Sequence, residues 1–241
     1  MVEKYSMEFR VSSYDVDPAR RLKLSSLLKV IQEAAGRHLD GDVLTYEYMR
    51  EKGIVFLLVK EAVKVYHMPK YNEPVTVETW FLKTKGAQFI RNLRFLGADG
   101  ILAEAETYWV IVDPVSHRIL RPSAYPFEMR SHEQKVGIHA SKFDMPQNIE
   151  KVGVRPVRWS DTDCNRHMNN AVYPDVICDF FPGGMNEREI STLQIHFLGE
   201  AVEGEEITVS AGTGKNGEYY FRGETPGRAC FEAFVISKKM K

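Results

Sequence analysis

The chain has 241 residues, 44% hydrophobic and 27% charged, which is the composition of a globular protein able to bury a sizeable core. Its 32 basic and 33 acidic side chains leave a formal net charge of −1, excluding a whole-molecule field for nucleic acid. No apolar run approaches the ~20 residues needed to cross a bilayer, and the charged opening "MVEKYSMEFR" lacks a signal peptide's apolar stretch. Cys164, Cys178 and Cys230 form no C-x-x-C pair, and their odd number argues against a disulfide framework. The expectation is a reduced, cytoplasmic protein.

In chain order, "LKLSSLLKVIQEAAGRHL" places Leu24, Leu27, Leu28, Ile31 and Ala35 at helical spacing, with Lys29, Gln32 and Glu33 between them. Asp15 or Asp17 stands ahead of this helix as a candidate cap. From "IVFLLVKEAVKVYH" onward the pattern turns to β-branched and aromatic residues. "EPVTVETWFL", "QFIRNLRFL" and "AETYWVIVD" follow, with "GADG" as a hairpin turn between the last two. One helix followed by antiparallel strands is an α+β signature.

The second half repeats this order. "YDVDPARRL" lies over "SDTDCNRHM", Asp15 over Asp161 and Asp17 over Asp163, at an offset of 161 − 15 = 146. A shorter apolar helix is predicted in "AVYPDVICDFF". Strands "STLQIHFL", "EEITVSAG", "EYYFRG" and "ACFEAFVIS" follow, parted by "GKNG" and "TPGR" turns. "EPVTVET" lies over "EEITVSA" at 207 − 75 = 132, the smaller offset expected of a shorter second helix. The chain thus reads as two tandem helix-plus-sheet units, 1–130 and 151–241. The proline-bearing stretch 131–150 is read as a linker between them.

The copies diverge at one place. The second has Asn165, His167, Asn169 and Asn170 where the first has Ala19, Arg21, Lys23 and Leu24. Within "SDTDCNRHMNN", Asp161-x-Asp163-x-Asn165 opens like a calcium loop, which then requires Gly at its sixth place and Glu at its twelfth. Arg166 and Val172 stand there, so that reading fails. Zinc would need more ligands than Cys164 and His167, so no metal is assigned. Cys164 as nucleophile with His167 as base is a second reading. A third is hydrolytic: His167 activates water, Asn165 holds the water or a carbonyl, and backbone N–H groups at a helix start face the developing oxyanion. The fourth is structural, the Asp and Asn residues capping a helix.

The run Asp163-x-Asn165-x-His167-x-Asn169-Asn170 resembles the D-x-N-x-H-x-N-N stretch of the acyl-acyl-carrier-protein thioesterases of plants and bacteria. The resemblance covers nearly the whole chain and implies an α+β double hotdog, two tandem units each with a helix wrapped by an antiparallel sheet. It implies Asp163, Asn165 and His167 as catalytic residues. It adds Glu200 in "IHFLGEA", 33 residues beyond His167 (200 − 167), at the place of the family's catalytic Glu on the strand after the helix. Ala201 replaces the cysteine that follows this Glu in plant members, so a papain-like mechanism built on that cysteine does not apply. Base-activated water is left, with Glu200 and His167 as the two candidate bases and no metal or organic cofactor. Glu203, Glu205 and Glu206 are read as solvated turn residues.

The same resemblance implies a fatty acyl thioester substrate and a place in fatty acid biosynthesis. Asn169, Asn170, Leu27, Ile31 and Trp80 are the expected substrate contacts, with Val55, Leu57 and Phe89 as further tunnel walls. The partner would be an acidic acyl carrier protein, met by Arg20, Arg21, Lys23, Lys83, Lys85, Arg91 and Arg94. A homodimer is compatible, although two units in one chain already supply a pairing. The rival functions are an acyl-CoA thioesterase, a double-hotdog enoyl hydratase and a non-catalytic acyl-binding hotdog protein. The hydratase signature, D-x-N-P-x-H, has a proline and a spacing that Asp161 to His167 lacks.

Overall fold

The computed structural model describes residues 3–40, 45–125 and 129–240. The chain divides into two compact units, Met1–Lys23 with Lys29–Ala140, and Leu24–Leu28 with Ser141–Lys241. The first contains β1 (Lys4–Arg10), the bulk of α1 (Leu24–Asp40), α2 (Tyr46–Glu51), β2 (Val55–Val65), β3 (Pro74–Phe81), β4 (Phe89–Gly97) and β5 (Gly100–Val112). Its strands run in the order β1-β3-β4-β5-β2, antiparallel throughout. The second contains β6 (Glu150–Pro156), α3 (Tyr173–Asp179), β7 (Arg188–Phe197), β8 (Glu206–Thr213), β9 (Glu218–Thr225) and β10 (Arg228–Lys239). Its order, β6-β8-β9-β10-β7, is the first unit's order strand for strand. No helix among the described residues is long and apolar enough to cross a membrane.

Physical reasons for these elements are local. Leu24, Leu27, Leu28, Ile31, Ala34, Ala35 and His38 form the buried stripe of α1 at helical spacing. His38 packs on the first unit's sheet, its ring centroid 5.9 Å from Tyr5 and 5.8 Å from Phe81. In the second unit Tyr173 of α3 meets Phe197 at 5.6 Å and Phe231 at 5.0 Å in edge-to-face geometry. Asp17, expected near the helix start, instead grips Arg21 through Nε (3.0 Å) and Nη2 (2.6 Å).

Two edge strands and one helix escaped the periodicity reading. β1 and β6 alternate apolar and polar residues (Tyr5, Met7, Phe9; Val152, Val154), but charged neighbours and short length disguise them. α2 carries its own signal, Thr45 accepting the Tyr48 N–H at 3.2 Å as an N-cap. The connecting stretch is irregular, yet its backbone is tied down. Trp80 Nε1 donates to Gln134 O (2.7 Å), Val136 N to Asn92 Oδ1 (3.2 Å) and Gly137 N to Glu104 Oε2 (2.8 Å). Burial alone would push the Glu104 carboxyl up, but Gly137 N–H, Arg94 and Tyr66 together hold it below the usual carboxylate range. From Ser141 onward the segment packs on the second unit, with Phe143 stacked on His196 at 4.5 Å. Residues 126–128, just ahead of this stretch, lie outside the described residues.

Gly223 on β9 sits opposite Phe231 of β10. A Cβ there would lie 2.6 Å from Phe231 Cδ1 and 2.9 Å from Ile207 Cγ2, and Phe231 is fully buried. Gly223→Ala is therefore expected to destabilise the protein by about 1–3 kcal/mol, measured by denaturant unfolding, because the core has no room to yield.

Candidate active site

The polar cluster lies in a tight loop, not at a helix start. A 3-10 turn (Trp159–Asp161) precedes it, and Thr162 and Met168 form an isolated antiparallel bridge across it. Within the loop Asp163 N donates to His167 O (2.9 Å), Arg166 N to Asp163 O (2.9 Å) and Asn165 N to Asp163 Oδ1 (2.8 Å). Arg166 takes the left-handed conformation, φ 64°. α3 begins only at Tyr173, so the helix-start oxyanion site expected from the sequence is replaced by loop geometry. The reason is that Asp163 spends its carboxylate on closing an Asx turn.

The first unit contains the same loop 146 residues earlier. Asp17 N donates to Arg21 O (2.7 Å), Arg20 N to Asp17 O (2.8 Å), Val16 bridges Leu22, and Arg20 is left-handed at φ 61°. The scaffold is common to both copies, whereas the chemistry is not. At the place of His167 the first copy has Arg21, held by Asp17.

His167 bridges Val202, and Met168 N donates to Ala201 O (2.8 Å), which brings the loop after β7 alongside. Glu200 lies in that loop, three residues past the end of β7 at Phe197 (200 − 197) and not on the strand itself. His167 Nε2 and Glu200 Oε2 stand 3.1 Å apart, with side-chain exposures of 32% and 44%. Both side chains are therefore part exposed to solvent.

Arg228, at the start of β10, fixes this loop. Its Nε donates to Glu200 O (2.9 Å), and its Nη2 reaches Glu205 Oε1 (2.8 Å) and Oε2 (2.7 Å). Glu205 in turn accepts the Val202 N–H at 2.9 Å. Glu205 is thus a bracing group, unlike the solvated turn residue expected, while Glu203 and Glu206 are exposed. Arg228→Ala is expected to lower kcat about 10- to 100-fold with a smaller change in KM, through misplacement of Glu200; steady-state kinetics on a folded variant checks it.

A polar cleft of about 770 Å³ opens at the loop, lined by Asp163, Asn165 and His167 together with Trp159, Arg166 and Glu203 among others. Glu200 stands outside this lining, in contact with the imidazole that lines it. Cys164 is exposed and also outside the lining. Asn169 accepts the Ala171 N–H at 2.8 Å and caps the 3-10 turn Asn170–Val172; Asn169 and Asn170 also lie outside the lining. Asp161 is buried and braces the loop, paired with Arg155 Nη2 at 2.7 Å and accepting the Arg158 N–H at 2.8 Å. Among the described residues no group of three or more His, Cys, Asp or Glu converges as a metal cluster.

The first unit holds a second, apolar pocket of about 210 Å³, walled by Ala35, Leu39, Met49, Val55, Phe56, Phe81, Arg91 and Trp109 among others. Of the walls expected from sequence only Val55 lines it. Leu27, Ile31, Trp80 and Phe89 are packed core, at most 1% exposed, and Leu57 is 43% exposed. Ala35, at the margin of the buried stripe of α1, faces this pocket together with Gln32, Gly36 and Leu39. The expected basic face also changes: Arg91 is 1% exposed, Arg94 pairs with Glu104 at 2.8 Å and Arg21 with Asp17. Arg20, Lys23, Lys83 and Lys85 remain exposed.

A tandem helix-and-sheet architecture with the His167–Glu200 pair beside a polar loop defines the class. The comparisons define the family: the acyl-ACP thioesterase N-terminal domain matches residues 2–123 and the acyl-ACP thioesterase C-terminal domain residues 147–225. The chain belongs to the acyl-ACP thioesterase family. It is 25% identical over 207 residues, 77% of its own length, to a palmitoyl-acyl carrier protein thioesterase of Arabidopsis thaliana, of which it spans 49%. It spans about half the length of the first curated relatives it matches. The crystal structure of an acyl-ACP thioesterase from Bacteroides thetaiotaomicron superposes with a TM-score of 0.89 over 98% of each chain at 20% identity. A 12:0-ACP thioesterase from Umbellularia californica superposes at 0.77 over 99% of this chain and 98% of that one, at 18% identity. The fold is the α+β double hotdog.

Proposed function

We propose that the chain hydrolyses fatty acyl-acyl-carrier-protein to a free fatty acid and the carrier-protein thiol, with the second unit as the catalytic half. The observation that carries this reading is the His167–Glu200 contact at 3.1 Å beside a cleft that Asn165 also lines. A thioester carbonyl is activated enough for a positioned water and a base. His167, which lines the cleft, takes the proton of the attacking water, and Glu200 in contact with it orients the ring and stabilises the imidazolium. As the C–O bond forms, the Asn165 amide supports the carbonyl oxygen or the water. The C–S bond then breaks, and the proton held by the pair passes to the leaving thiolate. Asp163 is a positioning residue, closing the turn that presents Asn165.

The apolar pocket of the first unit is the proposed seat of the acyl tail. For the carrier protein, exposed Arg158 and Arg166 at the catalytic loop, with Arg20, Lys23, Lys83 and Lys85, offer positive charge to an acidic partner. Three cysteines with no disulfide among the described residues suit a reducing compartment such as the cytoplasm.

Purified protein incubated with acyl-carrier-protein and acyl-CoA thioesters should release free thiol, faster from the carrier-protein substrate. No release from either class sinks the thioesterase reading. Hydration of an enoyl thioester without thiol release hands the site to the rival chemistry.

A further inference from the structure

The polar cleft at the catalytic loop is lined by two groups to which the proposed chemical steps give no task, Trp159 and Arg166. Trp159 is 76% exposed, yet its backbone is fixed. It stands in the 3-10 turn closed by Asp161 N donating to Arg158 O (2.9 Å), and Thr162 Oγ1 donates to Trp159 O (2.8 Å). Arg166 is exposed, with the left-handed backbone that closes the loop. Among the described residues no ring stacks on the Trp159 indole and no carboxylate pairs with Arg166.

The first copy uses the same scaffold differently. Ser13 stands at the place of Trp159 (159 − 146) and Arg20 at that of Arg166 (166 − 146). Arg20 has the same left-handed backbone, but its guanidinium lies 4.6 Å from the Tyr71 ring centroid. In the second copy the cation is unengaged, follows Asn165 and precedes His167, and shares a cleft of about 770 Å³ with an exposed indole.

A thioester has two unlike sides. The acyl side is hydrocarbon. The thiol side, on carrier proteins and on coenzyme A alike, is an arm of amides that ends in a phosphate ester. The polar cleft suits the second. A planar amide packs on an indole, and a tryptophan with two side-chain torsions loses little freedom when covered. Every oxygen of the arm's carbonyls and phosphate is an acceptor, and a guanidinium is purely a donor. Glu203, also in the lining, offers an acceptor to the amide N–H groups.

We propose that Trp159 and Arg166 are specificity-determining residues for the thiol-bearing arm, the indole covering an amide and the guanidinium donating to the arm's oxygens. The thioester is thereby held beside His167 by its leaving side. The inference deepens the thioesterase reading and rests on it.

The test uses the full chain and dodecanoyl thioesters of N-acetylcysteamine, of 4'-phosphopantetheine, of coenzyme A and of the carrier protein. Acyl group and thiol chemistry are the same throughout, so a ratio of rates reports the arm. The phosphopantetheine thioester should exceed the N-acetylcysteamine thioester in kcat/KM by about tenfold or more, the value of one hydrogen bond to a charged donor. Arg166→Asn, which tolerates the left-handed backbone, should lower this ratio at least about threefold. Trp159→Ala should do the same, and Trp159→Phe should recover part of the loss. A ratio unchanged in both variants, including equal losses on the short and the full arm, overturns the inference. Losses shared by the phosphopantetheine, coenzyme A and carrier-protein thioesters support it. A loss confined to the carrier-protein thioester overturns it, because the two residues would then read the protein surface. Should no thioester be cleaved, the thioesterase reading falls, and calorimetric titration with 4'-phosphopantetheine decides the cleft separately. Binding that weakens in the variants supports the assignment, whereas no binding, or equal affinities, overturns it.

Discussion

His167→Ala is expected to lower kcat for acyl-acyl-carrier-protein hydrolysis about 10²–10⁴-fold, the range of general acid–base catalysis. Glu200→Ala should fall within the same range, because the two side chains touch at 3.1 Å and the proposed mechanism gives them one proton-transfer task. Groups that act as a unit are strongly non-additive. The double variant should therefore be little worse than the weaker single variant. Steady-state kinetics on the four proteins checks this, and two losses that multiply would show that the residues act separately. The fold should survive, since both side chains are part exposed and the loop is held by backbone bonds and by Arg228.

The second large effect concerns stability. Glu61, on β2, is 2% exposed and its Oε1 has no hydrogen-bond partner among the described residues. Burial raises its pKa from 4.5 to about 8. The native state therefore holds a proton that the unfolded chain releases near the ordinary carboxylate value. The stabilising contribution is fully present below about 4.5 and is lost as pH rises through about 8. Across that window the unfolding free energy should fall by up to about 1.4 kcal/mol per pH unit from this group. Glu61→Gln, which keeps the shape and cannot ionise, should flatten the dependence and be the more stable protein at pH values above the window. Urea unfolding at a series of pH values measures it; parallel slopes for the two proteins would contradict the assignment.

The helix, the main strands and their doubling were legible because burial in a helix or half-buried sheet imposes periods that survive in sequence. The loop residues Asp163, Asn165 and His167 were legible because they are close in the chain, and the first copy offers Arg21 for contrast. Glu200 was not readable from spacing: only the pairing of the post-β7 loop with His167–Met168 brings it there. The family resemblance supplied it. Pocket walls were least legible. Apolar residues on α1 look alike in sequence, and only packing separates Leu27 and Ile31 in the core from Leu39 at the pocket. Arg91 was misread as surface for the same reason, since arginine is almost never buried without a partner.

The central claim is that water, activated at the His167–Glu200 pair, attacks the thioester directly. One assay tests it: thiol release from a single acyl-acyl-carrier-protein by the wild type, Cys164→Ser and His167→Ala, each verified as folded. The account predicts that Cys164→Ser matches the wild type while His167→Ala loses at least about 10²-fold. An inactive Cys164→Ser variant, or a His167→Ala variant at the wild-type rate, would contradict it.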